Sequence, residues 1–132
     1  LKINDLELKN GFALNVGNPH IVFFMDDCFK YDLSKIGPII ENHELFPKKT
    51  NVTFAQMKDS TNILVNVWER GAGLTKACGT AACATGVVAF EKKLTGNNTN
   101  IHFKDGFLNI KYSHVISMTG PVSNIKEINI KL

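Results

Sequence analysis

The stretch GTAACATGVVAFEKKL, residues Gly79 to Leu94, constrains the fold more than any other part of the chain. It reads as one helix. Ala81, Ala82, Cys83, Ala84, Val87, Val88, Ala89 and Phe90 leave it without a polar face before Glu91. A helix that is apolar on every side must be enclosed by protein, so the rest of the chain has to wrap around it. Gly96 is placed to end the helix, and Lys92 and Lys93 suit its negative C-terminal end.

The wrapping material reads as short strands. LELKNGFALNVGNPHIVFFM (Leu6 to Met25) is strand-like, with Asn10-Gly11 as a hairpin-type turn and HIVFFM as a buried run. NVTFAQMK and NILVNVWE alternate around Asp59–Thr61, a hairpin with a three-residue loop. NIHFK, FLNIKY, HVISM and IKEINIKL are further strands, with Asp105-Gly106 as a hairpin signal between the first two. A second, amphipathic helix is expected over Asp32 to Glu44. Asp32 is its cap, Leu33, Ile36, Ile39 and Ile40 share its apolar face, Gly37-Pro38 weakens it, and Pro47 follows as a breaker. The expected fold class is α+β: a curved, mainly antiparallel sheet or barrel around one central apolar helix. With 132 residues the chain fits a single domain, 1–132, with one core. A start at Leu1 rather than Met reads as a piece of something longer.

Composition removes several function classes. Hydrophobic content of 44% and charged content of 20% are those of a soluble globular protein. No apolar run is long enough to span a bilayer, and the start carries no signal-peptide pattern. The net charge is only +3 and the lysines are scattered, without the basic stripe and interleaved aromatics of a nucleic-acid binder. Three cysteines, Cys28, Cys78 and Cys83, read as reduced thiols of a cytoplasmic protein. Cys78 and Cys83 are five apart, about 140° around a helix, so their sulfurs diverge. Against fourteen lysines stands one arginine, Arg70. Either chance left it there or its planar, bidentate donor fork is needed.

Chemistry concentrates in ERGAGLTKACGT, Glu69 to Thr80. A glycine-rich approach to a helix start makes an anion site, because the first amides have no partner within the helix. The amides of Gly79 and Thr80, with the Thr80 hydroxyl, are placed to hold a carboxylate. Cys78 directly precedes them, where a thiolate is favoured. A bound carboxylate beside a thiolate suggests proton removal from the carbon next to that carboxylate. Glu69 suits an ammonium group and Arg70 a second carboxylate. The competing fate for Cys78, and the one expected for Cys28 and Cys83, is an inert buried thiol. GAGLTK lacks the spacing of a phosphate loop. No His or Cys sits at ligand spacing from Cys78, so no metal is expected. GNPH (Gly17 to His20) is a second polar cluster. His20 there is either a core histidine or a solvated turn residue, and Asn51 and Asn66 pass as ordinary strand and turn residues.

NVWERGAGLTKACGTAACATG, VGNPHIVFF, NVTFAQM and SMTGPV, in this order and spacing, resemble the C-terminal half of the diaminopimelate epimerase family. The resemblance implies two similar domains, each a sheet around a central helix, with the active site between them and no cofactor. One cysteine per domain then faces each side of the substrate α-carbon. By position it implies Cys78 as the catalytic thiol of this half, with His20 near the reacting centre and Glu69 beside it. It implies Gly79 and Thr80 on the reacting carboxylate, Asn18 and Asn51 on substrate polar groups, and the Glu69-Arg70 pair on substrate, with Arg70 on its distal carboxylate. Ala81 stands where the family more commonly has glycine. No second cysteine motif is present, so the N-terminal half is an expected partner. The other expected partners are the small-molecule substrate and, as one option, a second copy in a homodimer. Neither nucleic acid nor membrane is expected. The implied activity is interconversion of LL- and meso-diaminopimelate, an isomerase step towards lysine and peptidoglycan precursors. The alternatives are another cofactor-independent amino-acid racemase and a non-catalytic carboxylate-binding domain.

Overall fold

Two helices take opposite sides of one sheet, and the order of the strands explains why. The computed structural model describes residues 2–3, 6–75, 78–104, 106–113, 115–120 and 128–131. After a small ladder of β1 (Lys2–Ile3) and β2 (Leu6–Glu7) come β3 (Gly11–Asn15) and β4 (Pro19–Phe24). Helix α1 (Leu33–Glu41) leads to β5 (Asn51–Met57), β6 (Asn62–Glu69) and β7 (Gly73–Thr75). Helix α2 (Gly79–Glu91) precedes β8 (Asn98–Phe103), β9 (Gly106–Tyr112), β10 (Val115–Thr119) and β11 (Ile128–Lys131). The main sheet runs β11-β10-β9-β8-β6-β5-β4-β3, and β7 shares the outer edge of β6 with β8.

The sheet is mixed. β4 and β5 are parallel and joined through α1; β6 and β8 are parallel and joined through α2. The remaining pairs are antiparallel, so the expected antiparallel bias holds with two crossovers added. β5 and β6 run in opposite directions while both crossovers progress the same way across the sheet. Right-handed crossovers, the nearly universal hand, therefore deliver α1 and α2 to opposite faces.

Side-chain alternation fills both faces. Val22, Ala55, Ile63, Val65 and Val67 pack with α2, whereas Ile21, Phe23, Val52, Phe54 and Trp68 pack with α1. Helix α2 touches β3 near one edge and β10 near the other, so the sheet curls around it. Its residues Ala81 to Ala89 are all buried. Each buried valine there contributes about 1.5–3 kcal/mol. Small side chains let the strands come close, and a Cβ at Gly86 would lie 2.7 Å from Ile110 Cγ2. The hydroxyl of Thr85, the one polar side chain among these buried residues, donates to the Ala81 carbonyl at 2.8 Å.

Several local expectations change. Helix α2 stops at Glu91, well before Gly96. Lys93 takes the left-handed conformation (φ 60°), and the Lys93 and Leu94 amides donate to the Phe90 and Ala89 carbonyls. That is the Schellman ending, with lysine at the position glycine usually holds. Phe90 is 38% exposed and edge-on to Tyr112, so the helix is not enclosed at that end. In α1 the Asp32 cap holds, its carboxylate accepting from the Ser34 amide at 3.0 Å, and Pro38 is accommodated within the helix. Ile39 faces solvent, while Gly37 and Glu41 are buried. Asn10 has positive φ, but it does not join paired strands: β2 pairs with β1, and the hairpin is β3–β4 through Val16, Gly17 and Asn18. The Asp59–Thr61 hairpin forms, tied by the Asp59 carboxylate to the Thr61 amide at 2.9 Å. Gly106 opens β9 opposite Phe103; Asp105 lies outside the described residues. So do His114 of HVISM, Ile125 to Glu127 and Leu132 of IKEINIKL, and Pro121 and Val122 of SMTGPV. No helix among the described residues is long and apolar enough to cross a membrane.

Candidate active site

One rung of the sheet collects the site on the face that α2 covers. His20 opposes Asn51 in the β4–β5 register, and Glu69 opposes Gly73 in β6–β7. Continuing the Val52–Trp68 pairing by one residue sets Asn51 beside Glu69. Because side chains alternate along a strand, His20 shares the face of Val22, Asn51 that of Ala55, and Glu69 that of Val67, all facing α2. Helix α2 begins directly after β7, so Cys78 belongs to the same end of the molecule. Lys76 and Ala77, which complete the connection, lie outside the described residues.

Cys78 is the residue before the first turn of α2, with extended backbone (φ −142°, ψ 110°). No side chain caps the helix, and the Cys78 carbonyl accepts from the Ala82 amide at 3.0 Å. The amides of Gly79, Thr80 and Ala81, orphaned by helix geometry, thus follow directly on a buried thiol that is 8% exposed. The Cys78 Sγ lies 3.6 Å from Thr80 Oγ1. A Cβ at Gly79 would meet Met118 Cε at 2.9 Å, so this glycine also lets the helix start pack against β10. Ala81 points its methyl into the core.

A chain of hydrogen bonds leads back from Thr80. Asn18 Nδ2 donates to Thr80 Oγ1 at 3.4 Å, and Asn18 Oδ1 lies 3.0 Å from His20 Nε2. An amide oxygen only accepts, so His20 carries its proton on Nε2. His20 is a core histidine, 1% exposed, with Nδ1 lacking a partner among the described residues. Burial, then the Arg70 charge, lowers its pKa from 6.5 to about 4. It is therefore neutral near pH 7, and its described side-chain contact is with Asn18 rather than with the thiol.

Asn51 is engaged on both sides. Its Nδ2 donates to the Pro19 carbonyl at 2.8 Å, and its Oδ1 accepts from the Arg70 amide at 2.7 Å. It clamps β4 to the turn after β6, a task the sequence reading did not assign to it. Arg70 is exposed, with Nη1 donating to the Lys48 carbonyl at 3.2 Å. The half-buried Glu69 carboxylate has no hydrogen-bond partner among the described residues. Asn66 stays apart, its Nδ2 donating to the Cys28 carbonyl.

All three cysteines are free thiols. Burial, then the neighbouring Cys78, pushes Cys83 up to about 11. Burial, then Asp27, pushes Cys28 up to about 11. Both are inert thiols near neutral pH. Among the described residues no three of His, Cys, Asp and Glu gather as a metal site.

Sequence reasoning missed Glu41. It is 6% exposed and accepts from Trp68 Nε1 at 2.8 Å and from the Gly71 amide at 3.3 Å. Glu41 lies about 130° around the helix from the centre of the expected Leu33, Ile36, Ile39 and Ile40 face, so the pattern gave no signal for it; the buried stripe is rotated to Leu33, Gly37, Ile40 and Glu41.

Comparison with known proteins gives one consistent result. The chain is 55% identical to the diaminopimelate epimerase of Pelagibacter ubique, over its whole length and 51% of that protein. It is 45% identical to the diaminopimelate epimerase of Rhodopseudomonas palustris strain BisA53, over 84% of this chain and 40% of that one. The chain thus spans about half the length of these curated relatives. Its fold is that of the PhzF-family phenazine biosynthesis protein of Bacillus anthracis, with a TM-score of 0.62 at 19% identity, covering 86% of this chain and 41% of that one. The diaminopimelate epimerase family model matches residues 12–125, and the chain belongs to that family.

Proposed function

We propose that residues 1–132 form the C-terminal domain of a two-domain epimerase that interconverts LL- and meso-diaminopimelate, and that this domain supplies one of its two thiols. The observation that carries the reading is Cys78 at the mouth of α2, next to uncapped amides and in contact with Thr80. The α-carboxylate of the substrate sits on the amides of Gly79, Thr80 and Ala81, which face it with positive dipoles. Cys78 as thiolate takes the α-proton. A thiol of the other half delivers a proton to the opposite face, so the centre inverts with no net proton change. In the reverse direction the roles exchange.

The chain from His20 sets the polarity of the Thr80 hydroxyl. His20 donates to Asn18, Asn18 donates to Thr80, and the Thr80 proton is left to point at the sulfur. The Thr80 hydroxyl then faces the sulfur as a donor when Cys78 acts as the base. His20 acts through Asn18, the half-buried Glu69 carboxylate takes the α-ammonium, and Arg70 receives the distal carboxylate. No cofactor enters this scheme. Free thiols suit the cytoplasm, and a homodimer is compatible with it.

The test uses the protein with both halves joined. Cys78→Ala should abolish epimerisation while the melting temperature stays near that of the parent. Cys83→Ala should keep substantial activity. An active Cys78→Ala variant would remove Cys78 from the mechanism. A joined protein that binds diaminopimelate without turning it over would favour a carboxylate-binding domain.

A further inference from the structure

A buried carboxylate needs partners for both oxygens, and those of Glu41 lie on the segment that carries Arg70. Oε1 accepts the Trp68 indole N–H at 2.8 Å, and Oε2 accepts the Gly71 amide at 3.3 Å. Gly71 has φ +76°, so the chain turns there in a conformation that few other residues adopt. The preceding amide, that of Arg70, is held by Asn51 Oδ1 at 2.7 Å. Two consecutive amides of one exposed turn are thus held by side chains from opposite layers, Glu41 from α1 and Asn51 from β5. The contact is close-packed as well as polar. A Cβ at Gly37, one helical turn before Glu41, would collide with the Trp68 side chain, and a Cβ at Gly73 would lie 3.6 Å from the Trp68 ring.

We propose that Glu41 is a positioning residue that fixes the turn so that the Arg70 fork meets the distal carboxylate of the substrate; this rests on the function proposed above. Buried beneath the turn, Glu41 itself stays off the substrate. Its chemistry is specific: the two N–H donors address two different oxygen atoms, and a carboxylate accepts at both positions whereas a carboxamide accepts at only one. Glu41→Gln keeps the shape but opposes an NH2 group to one of the two N–H donors.

The experiment uses the joined two-domain protein and has two arms. Kinetics with diaminopimelate should show KM raised about tenfold in Glu41→Gln with kcat within about twofold, the signature of a lost binding contact. Glu41→Gln added to Arg70→Lys should raise KM little further, because the two act on one contact. An unchanged KM, or full additivity with Arg70→Lys, overturns the proposal. The second arm needs no turnover. Amide exchange at Arg70 and Gly71, followed by NMR, should accelerate in Glu41→Gln while the β5 and β6 amides keep their protection. Unchanged exchange at both turn amides overturns the proposal. Accelerated exchange in a protein that has no epimerase activity would leave the positioning role standing and sink the functional reading. If Glu41→Gln does not fold, Glu41→Asp, which keeps the charge but shortens the reach, carries both arms.

Discussion

His20 is held neutral by its surroundings, and that makes stability depend on pH. Its folded pKa is about 4 against an ordinary 6.5. As pH falls below 6.5 the unfolded chain takes up a proton that the folded chain refuses until about 4. The contribution of His20 is therefore fully present above that window and is lost through it, about 3 kcal/mol in all. Urea denaturation of the wild type and of His20→Gln should give stability differences that shift by roughly this amount between about pH 7 and about pH 4. Parallel pH profiles would show that His20 is not desolvated as described. At this scale the sequence was legible where chemistry is local. Cys78, Gly79 and Thr80 are adjacent, so a helix start and its glycine-rich approach are visible in one line of text. Asn51 and Glu41 were not legible as clamps, because their partners, Arg70 and Gly71, are brought to them by the sheet register and the α1 crossover.

Helix α2 was legible as an element because nothing but a buried helix accommodates its composition. Its end was not, because Lys93 adopts the backbone that its sequence neighbour Gly96 advertises. A left-handed non-glycine residue costs about 1–2 kcal/mol, so Lys93→Gly should stabilise the fold by about 1 kcal/mol after the entropy of glycine is discounted. No gain in the urea midpoint would mean that the Lys93 side chain offsets the strain. Gly86→Ala should do the opposite. Alanine is the better helix former by about 1 kcal/mol, but its methyl would press on the branched Ile110 side chain at 2.7 Å from Cγ2. Overpacking of that kind costs about 1–3 kcal/mol, which outweighs the propensity gain where Ile110 cannot yield. A Gly86→Ala protein more stable than the parent would show that β9 moves aside.

The fold class was legible for the molecule as a whole, but the two parallel crossovers were not: periodicity reports strands and says nothing of which neighbour each one finds. The two-domain proposal belongs to this scale. Inversion needs a base and an acid on opposite faces of one carbon, and in the proposed scheme this chain supplies only one of them, Cys78. The 132 residues alone should give no measurable epimerisation of meso-diaminopimelate in deuterated water, with at most slow exchange of the α-hydrogen. Activity should appear when the complementary half is added, read as deuterium incorporation with inversion. Robust turnover by these residues alone would rule the proposal out. The two-sided packing of β5 and β6 bears on how such a half meets its ligand. These strands are covered by α1 on one face and α2 on the other, with neighbours along both edges. Glu69 and Arg70 extend directly from that stretch. The turn proposed to meet the ligand is therefore mounted on a girder braced from both sides, which would leave little configurational freedom to be surrendered when a small dicarboxylate arrives.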